Sequence, residues 1–230
     1  MRAMMISEIF YSIQGEGMLA GVPSVFLRTS GCNLRCTWCD TPYTSWKPEG
    51  EDKQLGAILA DVRRCWSTHV VVTGGEPLIQ EDIVLLTQRL KEFDLHITIE
   101  TAGTVFKPVV CDLMSISPKL ANSTPKRREG GRWAAQHDRL RHQPDVLKQL
   151  MAEYPYQLKF VVSEPGDLEE IEAILAETDA DRSRVILMPE GTDPEAIYGR
   201  AKWLVDICKR ERFRYGPRLH IDIYGNERGV

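Results

Sequence analysis

The chain has 230 residues, 43% of them hydrophobic and 27% charged, with a formal net charge of −4. That length suits one domain, residues 1–230, with a core large enough to enclose a cofactor, and the composition is that of an ordinary soluble globular protein. The negative balance argues against general nucleic-acid binding, and no apolar segment approaches the roughly 20 residues that span a bilayer.

Hydrophobic periodicity predicts the elements in chain order. Strand patterns cover residues 6–12 and 24–29, followed by a cysteine-rich loop at 31–41 and a helix at 55–65. A strand at 70–73 leads into a helix at 81–93, and strands follow at 96–100 and 113–117. Residues 122–143 form a basic, turn-rich insert (Lys126, Arg127, Arg128, Arg132, Arg139, Arg141) that reads as a solvated, mobile surface loop. Helices at 145–153, 167–177 and 194–210 alternate with strands at 158–162, 185–188 and 218–223. Asp167 and Asp193-Pro194 mark helix starts. Strands alternating with helices indicate an α/β chain of parallel βα units. About six units fall short of the eight that close a TIM barrel, so the expected architecture is a partial, open TIM-like barrel. Its chemistry belongs at the carboxyl ends of the strands, where the polar and glycine-rich segments fall.

Cys32-x-x-x-Cys36-x-x-Cys39 is the strongest local signal. Close thiolates repel one another unless a cation holds them, and three ligands leave a fourth position open, as a catalytic centre needs. Structural zinc normally takes four Cys or His ligands in paired motifs. Here the nearest histidine is His69 and the next cysteine, Cys65, falls in a helical pattern. Cys65, Cys111 and Cys208 sit among apolar residues and read as inert buried thiols. Residues 1–6 lack the sustained apolar core of a signal peptide, so a reducing cytoplasm is the expected location. The spacing resembles the signature of the radical S-adenosylmethionine (SAM) enzymes. In these, three cysteines hold a 4Fe–4S cluster whose fourth iron binds the amino and carboxylate groups of SAM. The resemblance implies a radical SAM core.

Thr73-Gly74-Gly75-Glu76-Pro77 follows the next strand. Two glycines there let backbone carbonyls approach a ligand. The run resembles the glycine motif by which radical SAM enzymes hold the cofactor's ammonium group, with the carbonyls of Gly74 and Gly75 and the Glu76 carboxylate as acceptors. Within this resemblance Ser117 is a candidate for the cofactor ribose, Lys119 for its carboxylate, and Thr101 for either. Lys159 stands in an otherwise apolar strand, so it either reaches an edge or meets an anion. Glu190 is either a ribose contact or a surface carboxylate.

The run Phe10-Tyr-Ser-Ile-Gln-Gly-Glu-Gly17, with Phe26-Leu-Arg28, Cys39-Asp-Thr41 and Arg218-Leu-His220, resembles the 7-carboxy-7-deazaguanine synthase family. The likeness runs from Glu8 to His220. It implies ring contraction of 6-carboxy-5,6,7,8-tetrahydropterin to 7-carboxy-7-deazaguanine and ammonia, as in queuosine biosynthesis, with Mg2+ held by Thr41. The implied substrate contacts are Ile13, Gln14, Gly15, Glu16, Arg28, Asp40, Thr73 and His220. Their chemistry suits these roles, since an amide and a carboxylate match a pterin's donor–acceptor edge and Arg28 offers a bidentate fork to a carboxylate. A lone histidine such as His220 is equally compatible with a structural role, and Ile221 stands where family members often carry lysine. A homodimer and an electron donor such as flavodoxin or ferredoxin are also implied. Two rivals share part of the pattern: a glycyl-radical activating enzyme, and a non-catalytic Fe–S or zinc module. The first has no need of Gln14, Glu16 and Arg28, and the second leaves Gly74-Gly75 unexplained.

Overall fold

In the computed structural model, residues 3–230 are described; Met1 and Arg2, which belong to the 1–6 segment, lie outside the described residues. The strands are β1 (Ala3–Ile13), β2 (Pro23–Thr29), β3 (Glu51–Gln54), β4 (His69–Gly74), β5 (His96–Thr101), β6 (Leu113–Ile116), β7 (Tyr156–Val162), β8 (Val185–Pro189) and β9 (Arg214–Tyr215). They form one sheet in the order β3-β1-β2-β4-β5-β6-β7-β8-β9. From β2 to β9 every pairing is parallel, whereas β1 pairs antiparallel with both β2 and β3. The hydrogen-bonded order has two ends, so the barrel is partial and open, as expected from the unit count.

Helices α1 (Pro42–Ser45), α2 (Leu55–Arg64), α3 (Ile83–Lys91), α4 (Ala134–Arg141), α5 (Pro144–Glu153), α6 (Asp167–Thr178), α7 (Pro194–Glu211) and α8 (Leu219–Tyr224) complete the chain. Successive strand residues point to opposite faces, and here that parity divides core from cavity. Val25, Leu27, Val70, Val72, Ile97, Ile99, Leu158, Phe160, Val185 and Leu187 pack into one apolar core with Ile58, Leu86, Leu150, Ile174 and Leu204 of the helices. The alternate positions Phe26, Arg28, Thr73, Glu100, Lys159, Val161 and Met188 line an inner cavity. Each fully buried aliphatic side chain contributes about 1.5–3 kcal/mol, so the outer face fixes the inner one.

Two expectations are corrected. Residues 218–223 alternate like a strand, yet Leu219–Tyr224 is a short helix. β9 already occupies the edge of β8, and residues 219–224 instead cap the barrel, with the Leu219 N–H donating to the Gly15 carbonyl at 2.9 Å. Only Ile221 of this helix is buried. The basic insert is the second correction. Its 134–141 portion is helical and His137 is buried, so it is not a solvated loop. Its low apolar content concealed the helix, because a polar surface with one buried imidazole carries no 3.6-residue stripe. Of the three remaining thiols, Cys208 is buried whereas Cys65 and Cys111 are only partly so.

Candidate active site

The loop after β2 carries the three cysteines, and all three line a cavity of about 440 Å³ at the carboxyl ends of the strands. That volume is of the size that encloses a cofactor and a small heterocycle. Leu34, Cys36 and Ala102 pack together beneath the loop. Its backbone is held by Arg35, whose guanidinium donates to the Cys32 and Leu34 carbonyls at 2.7 Å, and by the Trp46 indole N–H on the Cys36 carbonyl at 2.9 Å. Burial pushes the Cys32 thiol up to about 12, and it also raises Cys36 and Cys39. Three thiolates here therefore require a bound cation, whose loading displaces three protons. Three soft sulfurs lining one cavity, with no other cysteine among its lining residues, fit an iron–sulfur cluster with an open position.

Gly74 and Gly75 also line the cavity. Gly74 has φ +142°, and a Cβ on Gly75 would stand 2.1 Å from the Gly31 carbonyl oxygen and 2.8 Å from that of Thr44. The chain can bring the end of β4 against the cysteine loop only without side chains there. Backbone bonds pin this junction: Gly75 N–H to Thr29 O at 3.2 Å and Glu76 N–H to Gly31 O at 2.9 Å.

Glu76 departs from expectation. Its side chain is fully buried, does not line the cavity, and accepts from Thr101 Oγ1, Ala102 N–H and Leu78 N–H at 2.8, 2.8 and 3.1 Å. Burial raises its carboxyl pKa against the effect of these donors. It ties the ends of β4 and β5 together through these three donors. Thr101 lines the cavity while its hydroxyl serves Glu76. Ser117 and Lys119 line it too, the ammonium folded onto the Ser117 carbonyl and hydroxyl at 2.9 and 2.8 Å. Glu190 pairs with Arg200 at 3.0 Å at the rim.

The same cavity is lined by a charge network in which Glu16, Lys159 and Arg218 are largely buried and Asp40 is exposed. The Glu16 carboxylate accepts from the Lys159 ammonium and, at 3.0 Å, from Arg218 Nε. Arg218 also donates to Asp40 at 2.5 Å and to the Gly191 carbonyl. Burial alone would raise Glu16, but Lys159 and Arg218 hold its carboxyl well below the usual carboxylate range. Asp40, whose side chain is 41% exposed, is likewise lowered, the cost of its partial desolvation being outweighed chiefly by Arg218. Lys159 thus meets an anion, one of its two sequence-level alternatives, in Glu16. Gln14 donates to Glu100 at 3.2 Å, and Thr73 Oγ1 donates to its second oxygen at 2.8 Å. Ile13, Gly15, Thr41 and His220 also line the cavity. The His220 ring lies where a Gly15 Cβ would fall, 1.9 Å from Nδ1, and burial lowers its pKa. Arg28 Nε donates to Glu8 at 2.7 Å.

Three participants were missed from sequence: Glu100, Arg218 and Glu8. Strand parity could have found Glu100, because it shares the inner face with Thr73 and Lys159. Arg218 was quoted only as part of a motif, and its contacts join residues 178 and 202 positions apart in sequence. Glu8 carries no local signal; it accepts from Arg28, from the Tyr43 hydroxyl at 2.9 Å and from Arg228 at 3.1 Å.

An open parallel barrel with three cysteines and a glycine cradle at its strand ends defines a radical SAM enzyme, and a model of the radical SAM superfamily matches residues 26–124. The 7-carboxy-7-deazaguanine synthase of Halobacterium salinarum is 45% identical over 97% of this chain and 91% of its own length. That of Rhodopirellula baltica is 44% identical, over 99% and 89%. The crystal structure of QueE from Escherichia coli superposes with a TM-score of 0.71 at 25% identity, covering 94% of each chain. At such identity and coverage the chain belongs to the 7-carboxy-7-deazaguanine synthase family. Membership implies a 4Fe–4S cluster and SAM.

Proposed function

We propose that the chain converts 6-carboxy-5,6,7,8-tetrahydropterin to 7-carboxy-7-deazaguanine with release of ammonia. The observation that carries this reading is that one cavity is lined both by the three cysteine sulfurs with Gly74 and Gly75 and by the paired charges of Glu16, Asp40, Lys159 and Arg218. When bound, the cluster and SAM supply the hydrogen-abstracting radical. Cys32, Cys36 and Cys39 hold the cluster. The carbonyls of Gly74 and Gly75 take the cofactor's ammonium group, Lys119 its carboxylate, and Ser117, Thr101 and Glu190 its ribose. Gln14, Glu16, Asp40 and Thr73 read the pterin edge, while the His220 ring packs over Gly15 at its border.

Arg28 takes the substrate carboxylate. Its Nε is committed to Glu8, and its terminal nitrogens have no hydrogen-bond partner among the described residues. Arg28→Ala is therefore expected to abolish product while the iron content of the purified protein stays unchanged; loss of iron in the variant would place Arg28 elsewhere. Thr41 lies at the start of α1 beside the cavity and offers Mg2+ a hydroxyl oxygen next to the substrate carboxylate. Activity should rise with added Mg2+, and Thr41→Ala should shift the half-saturating concentration upward. An unaltered magnesium titration in the variant would remove Thr41 from the metal site.

A homodimer, checked by light scattering, covers the open side of the barrel. The electron comes from a small redox protein such as flavodoxin or ferredoxin. A cytoplasmic location suits six unpaired cysteines, and no described helix is long and apolar enough to cross a membrane. The deciding experiment incubates the anaerobically reconstituted, dithionite-reduced enzyme with SAM, Mg2+ and the carboxy-tetrahydropterin. Ammonia and the deazapurine are expected. Formation of 5′-deoxyadenosine without either product would leave a radical enzyme of another substrate.

A further inference from the structure

The 122–143 segment, which the catalytic reading does not use, lies against the cysteine loop. His137 of α4 is 1% exposed, and its Nδ1 accepts the Arg35 backbone N–H at 3.1 Å. Its Nε2 stands 2.8 Å from Ser123 Oγ, whose hydroxyl donates to the Leu120 carbonyl at 2.6 Å. The serine proton is thereby spoken for, so Nε2 carries the imidazole proton and Nδ1 remains a bare acceptor. Burial keeps the ring neutral, its pKa lowered to about 4. Ser123 completes the grip, since its carbonyl accepts the Thr37 N–H at 2.8 Å. Asn122 accepts the Trp38 indole N–H at 3.2 Å. The amides on both sides of Cys36 are thus anchored by one imidazole–serine pair.

The geometry points to His137, acting with Ser123, as the positioning residue that presents the Cys36 thiolate to the iron–sulfur cluster. It touches neither sulfur nor substrate, and acts by fixing the backbone of residues 35–37. Outer groups of this kind orient metal ligands as much as the ligands' own rotamers do. The inference rests on Cys32, Cys36 and Cys39 holding the cluster.

The test compares the wild type with His137→Phe, His137→Asn and Ser123→Ala. Phenylalanine keeps the ring and removes the acceptor, whereas the asparagine carbonyl can still accept the Arg35 amide. Hydrogen exchange at Arg35 and Thr37 in the iron-free protein should accelerate in His137→Phe. In the reconstituted protein, iron loss to a chelator should quicken by about 10- to 100-fold, and the electron paramagnetic resonance signal of the reduced cluster should broaden. His137→Asn should restore exchange, iron retention and signal towards wild type. Ser123→Ala should show the same pattern more weakly, and it carries the comparison should the phenylalanine variant not fold. Wild-type exchange, retention and signal in both His137→Phe and Ser123→Ala would overturn the proposal. So would an asparagine variant as defective as phenylalanine, which would assign the ring a packing role only. A wild type that holds no iron would sink the cluster reading itself, while exchange in the iron-free protein would still decide whether His137 holds the loop.

Discussion

Arg218→Ala is expected to eliminate product formation and to destabilise the fold by about 3–5 kcal/mol, because it removes one partner of a buried ion pair and leaves the Glu16 carboxylate short of a compensating charge. Arg218 is 5% exposed and holds both Glu16 and Asp40. Without it Lys159 is the one remaining ion-pair partner of Glu16 among the described residues, whereas Asp40, 41% exposed, is solvated by water. The loss carries a pH signature. The depressed carboxyl pKa of Glu16 contributes stability that is fully present above its ordinary value of 4.5 and is lost as acid protonates it; exposed Asp40 adds little, because water screens its pairing. The variant lacks that contribution, so its deficit is greatest at neutral pH and narrows once the wild type is acidified below about 4.5. Urea unfolding of both proteins at pH 7 and pH 4 measures this. A deficit that does not vary with pH would show that Arg218 acts by packing alone. Arg218→Lys should recover stability only in part, since an ammonium cannot fork between two carboxylates.

Gly75→Ala is expected to reduce 5′-deoxyadenosine formation by about 100-fold or more, because a misplacement of about 1 Å at a reacting centre suffices for that loss. The new methyl group would meet the Gly31 and Thr44 carbonyls at 2.1 and 2.8 Å. Both are backbone atoms, so the relief must come from moving the cysteine loop away from β4. The strain should also lower stability by about 1–3 kcal/mol. Gly199→Ala supplies the control. Nothing lies within 4 Å of its added Cβ, and it stands in the middle of α7. There alanine should stabilise by up to about 1 kcal/mol through helix propensity, with activity unchanged. Calorimetry and chromatography of 5′-deoxyadenosine on the two variants separate the effects. Gly75→Ala with full activity would show that the glycine cradle does not abut the cluster loop in solution.

Much of the fold was legible because its signals are local. Val70, Val71 and Val72, and Ile97 and Ile99 around Thr98, are short β-branched runs between turn and helix signals, and such runs declared their strands before any partner was known. The helices after them carried apolar stripes of helical period. Where local pattern and tertiary context conflict, context prevailed. Leu219, Ile221 and Ile223 alternate like a strand, yet no strand position remained beside β8, and a single buried isoleucine sufficed to seat a helical cap. The helix at 134–141 was invisible for the opposite reason: its packing rests on one histidine and one leucine.

The cysteine spacing and the Gly74-Gly75 pair, by themselves, determined the class of chemistry, because ligand number and close backbone approach are properties of consecutive residues. The tertiary structure alone decided which charges face one another. It set Glu76 against Thr101 and Ala102, Lys159 against Glu16, and Arg218 as the link between Glu16 and Asp40. The reason is physical: a buried charge is stabilised by whichever opposite charge folding brings within a few ångströms, and that partner can stand two hundred residues away.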